Sequence, residues 1–175
     1  MPEAAPEPPP LPADADPQLG PELRGRLSRY GASEPTTADE VLFHAGDVDP
    51  DFFFLESGTV DIVREGFHAE PEAITRYTAG SFMGELAILA HSEVYVTARV
   101  VEAGSVLRVP SQDFLRLMAV EGELSDVILT AFEARRQVLL TAASQTIEVV
   151  GRTGTAPSLA LLSYLLRMEL PHRWL

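Results

Sequence analysis

At 175 residues, 46% of them hydrophobic, the chain is long enough for one domain with a real core plus appendages. Its net charge of −13, with arginines scattered from Arg24 to Arg173 and no lysine, argues against nucleic acid and anionic membrane surfaces, which need clustered positive charge. The absence of cysteine excludes disulfides, thiolate metal sites and thiol redox chemistry on this chain, and His44, His68, His91 and His172 are too dispersed to suggest a metal site.

Residues 1–16 (MPEAAPEPPPLPADAD) combine proline, alanine and acid with little to bury, so a disordered, partly polyproline tail is expected. They lack the basic and apolar regions of a secretory leader, and no apolar run reaches the ~18 residues of a membrane-spanning helix; a cytoplasmic location is expected. Pro21–Tyr30 spaces Leu23, Leu27 and Tyr30 as a short amphipathic helix that stops at Gly31. From Asp39 the period changes to short strands. Val41–Phe43, Phe52–Leu55, Val60–Val63, Ile74–Tyr77 and Val106–Val109 are apolar runs punctuated by glycine. Glu56-Ser57-Gly58-Thr59 reads as a hairpin turn with Gly58 at positive φ, and Gly104 as another turn. Val94–Val100 alternates, with Val94, Val96, Ala98 and Val100 on one face and Tyr95, Thr97 and Arg99 on the exterior one. Between Ile74–Tyr77 and Val94–Val100 lies Gly84-Glu85-Leu86-Ala87-Ile88-Leu89, a short apolar helix. The whole suggests a compact antiparallel roll.

After Pro110 the pattern is helical: Ser111 is placed to cap Gln112–Ala119, and a longer helix from Leu124 carries an apolar stripe through Val127, Ile128, Ala131, Phe132 and Leu139. Arg135 and Arg136 are expected on a solvated face or in interdomain ion pairs. Residues 145–175 read as a separate unit: a strand at Ile147–Val150, a helix over Pro157–Leu170 that is apolar nearly all round and so needs burial, and a second strand from Pro171.

Asp39–Leu140 resembles the cyclic-nucleotide-binding family, through Val41-Leu42-Phe43 with Gly46-Asp47, Leu55-x-Ser57-Gly58-x-Val60, and above all Gly80-Ser81-Phe82-Met83-Gly84-Glu85-Leu86-Ala87-Ile88-Leu89. The resemblance implies a mainly β fold with flanking helices, a β-roll whose last motif is a phosphate-binding cassette. Gly84, Glu85, Leu86 and Ala87 are then the ligand-binding residues, with backbone N–H groups meeting a cyclic phosphate and Glu85 accepting from the ribose. A second resemblance, to the N-terminal regulatory part of bacterial thioredoxin-reductase-like flavoproteins, rests on Val94–Val100, Ala131–Arg136 and the run from Val149 through Trp174. It implies that 145–175 begins a glutaredoxin-like, thioredoxin-type βαβ unit following a cyclic-nucleotide-binding-like domain at 17–144, and that a reductase domain or partner protein docks there.

The family pattern places an arginine for the phosphate ten positions after the cassette glycine, and that position is Val94. Arg99 is nearest, but its expected face is the solvent side. With no redox cysteines, no dinucleotide fingerprint and no nucleophile motif, the chain is not expected to be an enzyme or to carry a cofactor of its own. Three functions stay open: a regulatory ligand-sensing domain with a cyclic nucleotide as its ligand, a structural or interaction module that binds none, and the front part of a thioredoxin-disulfide reductase. A DNA-binding regulator on the same roll would need a basic helix-turn-helix after the long helix, where an acidic chain with a strand and an apolar helix follows.

Overall fold

The computed structural model describes residues 8, 10–64, 71–143, 148–149, 151–152, 154–167 and 173–174. It divides into two compact units, residues 1–132 and 133–175. The first contains helix α1 (Pro21–Leu27), strands β1 (Ala32–Thr36), β2 (Val41–Phe43), β3 (Phe52–Arg64), β4 (Glu72–Thr78) and β5 (Phe82–Met83), the short helix α2 (Glu85–Ala90), strand β6 (Thr97–Val109), helix α3 (Ser111–Val120) and the beginning of helix α4 (Gly122–Ala143). Its strands form one antiparallel sheet in the order β1-β6-β3-β4, with β2 also on β6 and β5 on β3.

Two turns expected from the sequence are bends inside long strands. β3 runs straight through Glu56–Thr59 and β6 through Gly104, and the two strands pair with each other along their length, with register shifts between Leu55 and Val60. Gly58 does take φ +88°. A Cβ there would overlap the Glu102 carbonyl, and one on Gly104 the Ser57 carbonyl, so both glycines serve close backbone approach where the strands bend together. The residues that make a turn also make a bulge, and local sequence does not distinguish them. β1, Ala-Ser-Glu-Pro-Thr, has no apolar alternation to mark it as a strand. It is an edge strand that pairs with β6 from Ala32–Arg108 to Thr36–Gly104, and an edge is where a strand tolerates proline.

Alternation along β3 builds two cores. Phe53, Leu55, Val60 and Ile62 enter the roll interior with Phe43, Met83, Val100 and Val106. Phe52 and Phe54 face the other way, into an outer core with Phe82, Phe114, Leu117, Leu124 and Ile128, and Leu19 and Leu27 complete it from the N-terminal side. Phe52 stacks on Phe114 with ring centroids 4.6 Å apart.

Ser111 is the first residue of α3 rather than its cap. Pro110 occupies the cap position without a side-chain bond, and the Ser111 N–H donates instead to Asp51 Oδ1 at 3.2 Å. The orphan donor is satisfied across the fold, a solution invisible in the local sequence. α4 begins at Gly122, ahead of the expected Leu124. Residues 10–16, which the composition assigns to a tail, make ordered contacts with the first unit. Residues 1–7 lie outside the described residues, but Ala15 is 0% exposed, Leu11 packs against the roll interior, and Ser81 Oγ donates to Asp16 Oδ2 at 2.9 Å.

The second unit holds the rest of α4, strand β7 (Glu148–Val149), helix α5 (Ala156–Arg167) and strand β8 (Arg173–Trp174). β7 and β8 pair in parallel, Glu148 with Arg173 and Val149 with Trp174, so the helix joins them as a β-α-β unit. The ends of the expected elements, Ile147, Val150, Met168–Leu170, Pro171, His172 and Leu175, lie outside the described residues. Thr155 caps α5, accepting from the Ser158 N–H at 3.4 Å, with Pro157 in the first turn. Leu165 is buried, but Leu159, Leu161 and Tyr164 are exposed, so α5 is not buried all round. Arg135 is buried and Arg136 exposed, so of the two readings for this pair, a solvated face or ion pairs, a shared solvated face does not hold for Arg135.

Candidate functional site

The run from Gly80 to Leu89 is sewn to β3. Gly80, at φ +102°, donates its N–H to the Leu55 carbonyl at 2.7 Å, and Leu55 donates to the Ser81 carbonyl at 2.8 Å. Met83 then pairs with Phe53 and Phe82 with Phe54. Gly84 follows at φ +98°, where a Cβ would also overlap the Asp51 carbonyl oxygen at the start of β3. Glycine is required there by conformation and by clearance together. α2 starts on the next residue and stops at His91, which takes φ +49°, and the Ser92 N–H donates to the Ala87 carbonyl at 3.1 Å.

The sequence-predicted residues Gly84, Glu85, Leu86 and Ala87 therefore sit together at the N-terminal end of α2. Glu85 is a carboxylate with 1% exposure, Leu86 is half-buried, and Ala87 belongs to the roll interior. Ile88, one residue on, belongs to the outer core with Leu124 and Ile128 of α4. α2 thus straddles both cores, with Ala87 in the roll interior and Ile88 and Leu89 on the outer core.

Val94 joins Ala87 and Met83 in the roll interior, 7% exposed. Its backbone is clamped to the 44–47 turn: Gly46 N–H donates to the Val94 carbonyl at 2.8 Å and Val94 N–H to the Asp47 carbonyl at 2.9 Å. Arg99 is exposed on β6, on the solvent side as the alternation predicts. Arg76 is held by Asp61 through two bonds of 2.6 and 2.9 Å, and Arg108 by Asp51 at 2.6 Å, a hydrogen bond that raises the Arg108 pKa above its ordinary value. Among the described residues of the first unit there is thus a buried carboxylate at Glu85 beside the apolar cluster, and no fully buried arginine.

One facial assignment changes. Tyr95 is 75% exposed, but Thr97, expected beside it on the exterior, is buried, and its Oγ1 accepts from the Ala45 N–H at 3.2 Å. Val94 and Val96 lie inward and Tyr95 outward as the alternation predicts, but β6 begins at Thr97, which also lies inward, so the alternation breaks there. Asp51 and Ser81 went unselected as site-shaping residues; Ser81 lies inside the Gly80–Leu89 run, whereas nothing local marks Asp51. Among the described residues no three His, Asp or Glu side chains are arranged to hold a metal, and no helix is long and apolar enough to cross a membrane.

The sequence profile for the cyclic nucleotide-binding domain matches residues 34–121. No curated protein matches the chain. Among solved structures, the catabolite activator protein of Thermus thermophilus is similar at 22% identity over 87% of this chain and 70% of its own, with a TM-score of 0.61. The c-di-GMP responsive global regulator CLP of Xanthomonas campestris gives 17% identity, 86% and 70% coverage and a TM-score of 0.60. The regulatory domain of Toxoplasma gondii PKA, solved with cAMP, gives 22% identity, 63% and 41% coverage and 0.53. At these identities the likeness is one of fold. The matched family is regulatory rather than catalytic, in agreement with the expectation that this chain is not an enzyme. With a profile match spanning half of the chain and both the roll and the Gly84 helix in place, this protein belongs to the cyclic nucleotide-binding domain family.

Proposed function

We propose that the chain is a regulatory, ligand-sensing domain in which occupancy at Gly84–Ala87 is reported through α4. The observation that carries this reading is the straddling of α2. A ligand contacting the N-terminal turn bears on Ala87 in the roll interior, and any shift of the helix displaces Ile88 against Leu124 and Ile128. In close-packed interiors such a displacement is passed on rather than absorbed. The family's ligand is a cyclic nucleotide. Here the backbone donors beside Gly84 would face the phosphate and Glu85 the ribose hydroxyl. Val94 removes the charged phosphate partner, which weakens binding by about 1.5–3 kcal/mol, or roughly one to two decades in Kd. Calorimetry with cyclic AMP and cyclic GMP tests the reading: a Kd below about 100 μM, some −5.5 kcal/mol, supports sensing. Silence at millimolar ligand favours the second reading, a structural or interaction module that has kept the roll; Val94 in the apolar interior is the observation on its side.

What the domain controls is proposed from residues 145–175. The β7-α5-β8 unit supports the resemblance to a thioredoxin-like beginning, and exposed Leu159, Leu161 and Tyr164 are the face a reductase domain or partner protein would cover. Under this reading, residues 17–144 form the regulatory domain and 145–175 the receiver. Reading the coding frame beyond Leu175 tests it: a flavin-type Gly-x-Gly-x-x-Gly fingerprint supports a reductase, and an immediate stop removes it for this polypeptide.

A further inference from the structure

We infer that residues 10–16 are an intramolecular strap that covers the roll interior and competes with any ligand entering beside α2. The segment carries the composition of a solvated tail, Pro-Leu-Pro-Ala-Asp-Ala-Asp, yet it is anchored at both ends. Leu11 packs against the same interior cluster that contains Ala87, Val94 and Met83. Asp16 accepts from Ser81 Oγ, inside the run that leads to α2. Between them a tight turn folds the chain back, with the Ala15 and Asp16 N–H groups both donating to the Pro12 carbonyl at 2.9 and 3.2 Å. The anchors are five positions apart, a reach of at most ~17 Å, so Leu11 and Ser81, at the start of the run leading to α2, belong to one locality. Ala15 is completely buried in the process. An apolar side chain seated on the interior and a carboxylate bonded at its edge occupy it much as an apolar, anionic ligand would. Opening the strap exposes Leu11 to water, a cost of the order that changes an affinity about tenfold.

The experiment compares the full chain with Leu11→Ser and Asp16→Ala. Amide exchange at Ala15 and Asp16 reads the strap; exchange at Val60 and Val100 reads the roll and confirms folding. Titration with anilinonaphthalene sulfonate, an apolar anion that fluoresces in apolar sites, reads access. The expected result is protected Ala15 and Asp16 amides in the parent, at least tenfold faster exchange in both variants with the roll amides unchanged, and dye affinity several-fold tighter in both. Unprotected Ala15 and Asp16 amides in the parent, or equal dye affinity in all three proteins, overturns the strap. The inference does not depend on nucleotide recognition: failure of cyclic nucleotides to bind any of the three removes the sensing function proposed above and leaves the dye and exchange results to judge the strap.

Discussion

Placing an arginine where the family pattern has one, by Val94→Arg, tests the site through gain rather than loss. Val94 is buried with Ala87 and Met83, and its backbone is fixed by the 44–47 turn, so a side chain there is delivered into the roll interior beside α2. Without ligand the change forfeits about 1.5–3 kcal/mol of apolar burial and introduces an uncompensated charge, so the unliganded variant melts lower than the parent. With a cyclic phosphate present, charged hydrogen bonds return about 1.5–3 kcal/mol, a roughly 10- to 150-fold tighter Kd. At a ligand concentration of about 100 times Kd the folded state gains about 2.7 kcal/mol, a thermal shift of roughly 10 °C for a unit of this size. Calorimetry and melting with cyclic AMP provide the assay, and Val94→Met, apolar with a similar reach, is the control. A folded Val94→Arg that binds cyclic AMP no more tightly than the parent or the methionine variant refutes the placement of a phosphate at this helix.

Three further outcomes follow from the packing. Gly84→Ala forces an L-residue to φ +98° and drives a methyl onto the Asp51 carbonyl; chemical denaturation should show a loss of about 2 kcal/mol or more, and a change below half that refutes the clash. Phe114→Ala removes the ring stacked on Phe52 and should destabilise by about 3–5 kcal/mol in the same measurement, whereas Leu115→Ala on the exposed face of the same helix should fall within about 0.5 kcal/mol. Tyr30 donates its hydroxyl to Glu121 Oε1 at 3.2 Å, and partial burial first, then that carboxylate, raise its pKa above 10.0. The folded chain therefore holds this proton more tightly than the unfolded one, so the contribution is intact below pH 10 and is lost as pH rises beyond it. The urea midpoint should drop above pH 10 more steeply in the parent than in Tyr30→Phe, and parallel pH profiles contradict the assignment.

The apolar strands of the roll, the position of α2 and the departure at Val94 were legible, because each rests on local chemistry: apolar runs, a glycine before a short helix, and a valine where a donor is expected; the polar edge strand β1 was not. The misread features share a cause. Gly58 and Gly104 mark places where two backbones meet, and whether such a place is a turn or a bend depends on the partner strand. Thr97 faces inward because the strand begins there, and the amide of Ala45 supplies the partner that lets a hydroxyl be buried.

From the amino-acid order alone came the roll, its small helix and the valine at position 94 where the family pattern has an arginine, since these are written in residue type and spacing. Tertiary structure alone decided that Asp51 completes α3, that Ile88 and Ala87 divide between two cores, and that Leu11 and Asp16 lie against the roll. Each of those depends on groups far apart in the chain meeting in space. A sequence records the side chains, and the fold determines which of them satisfy one another.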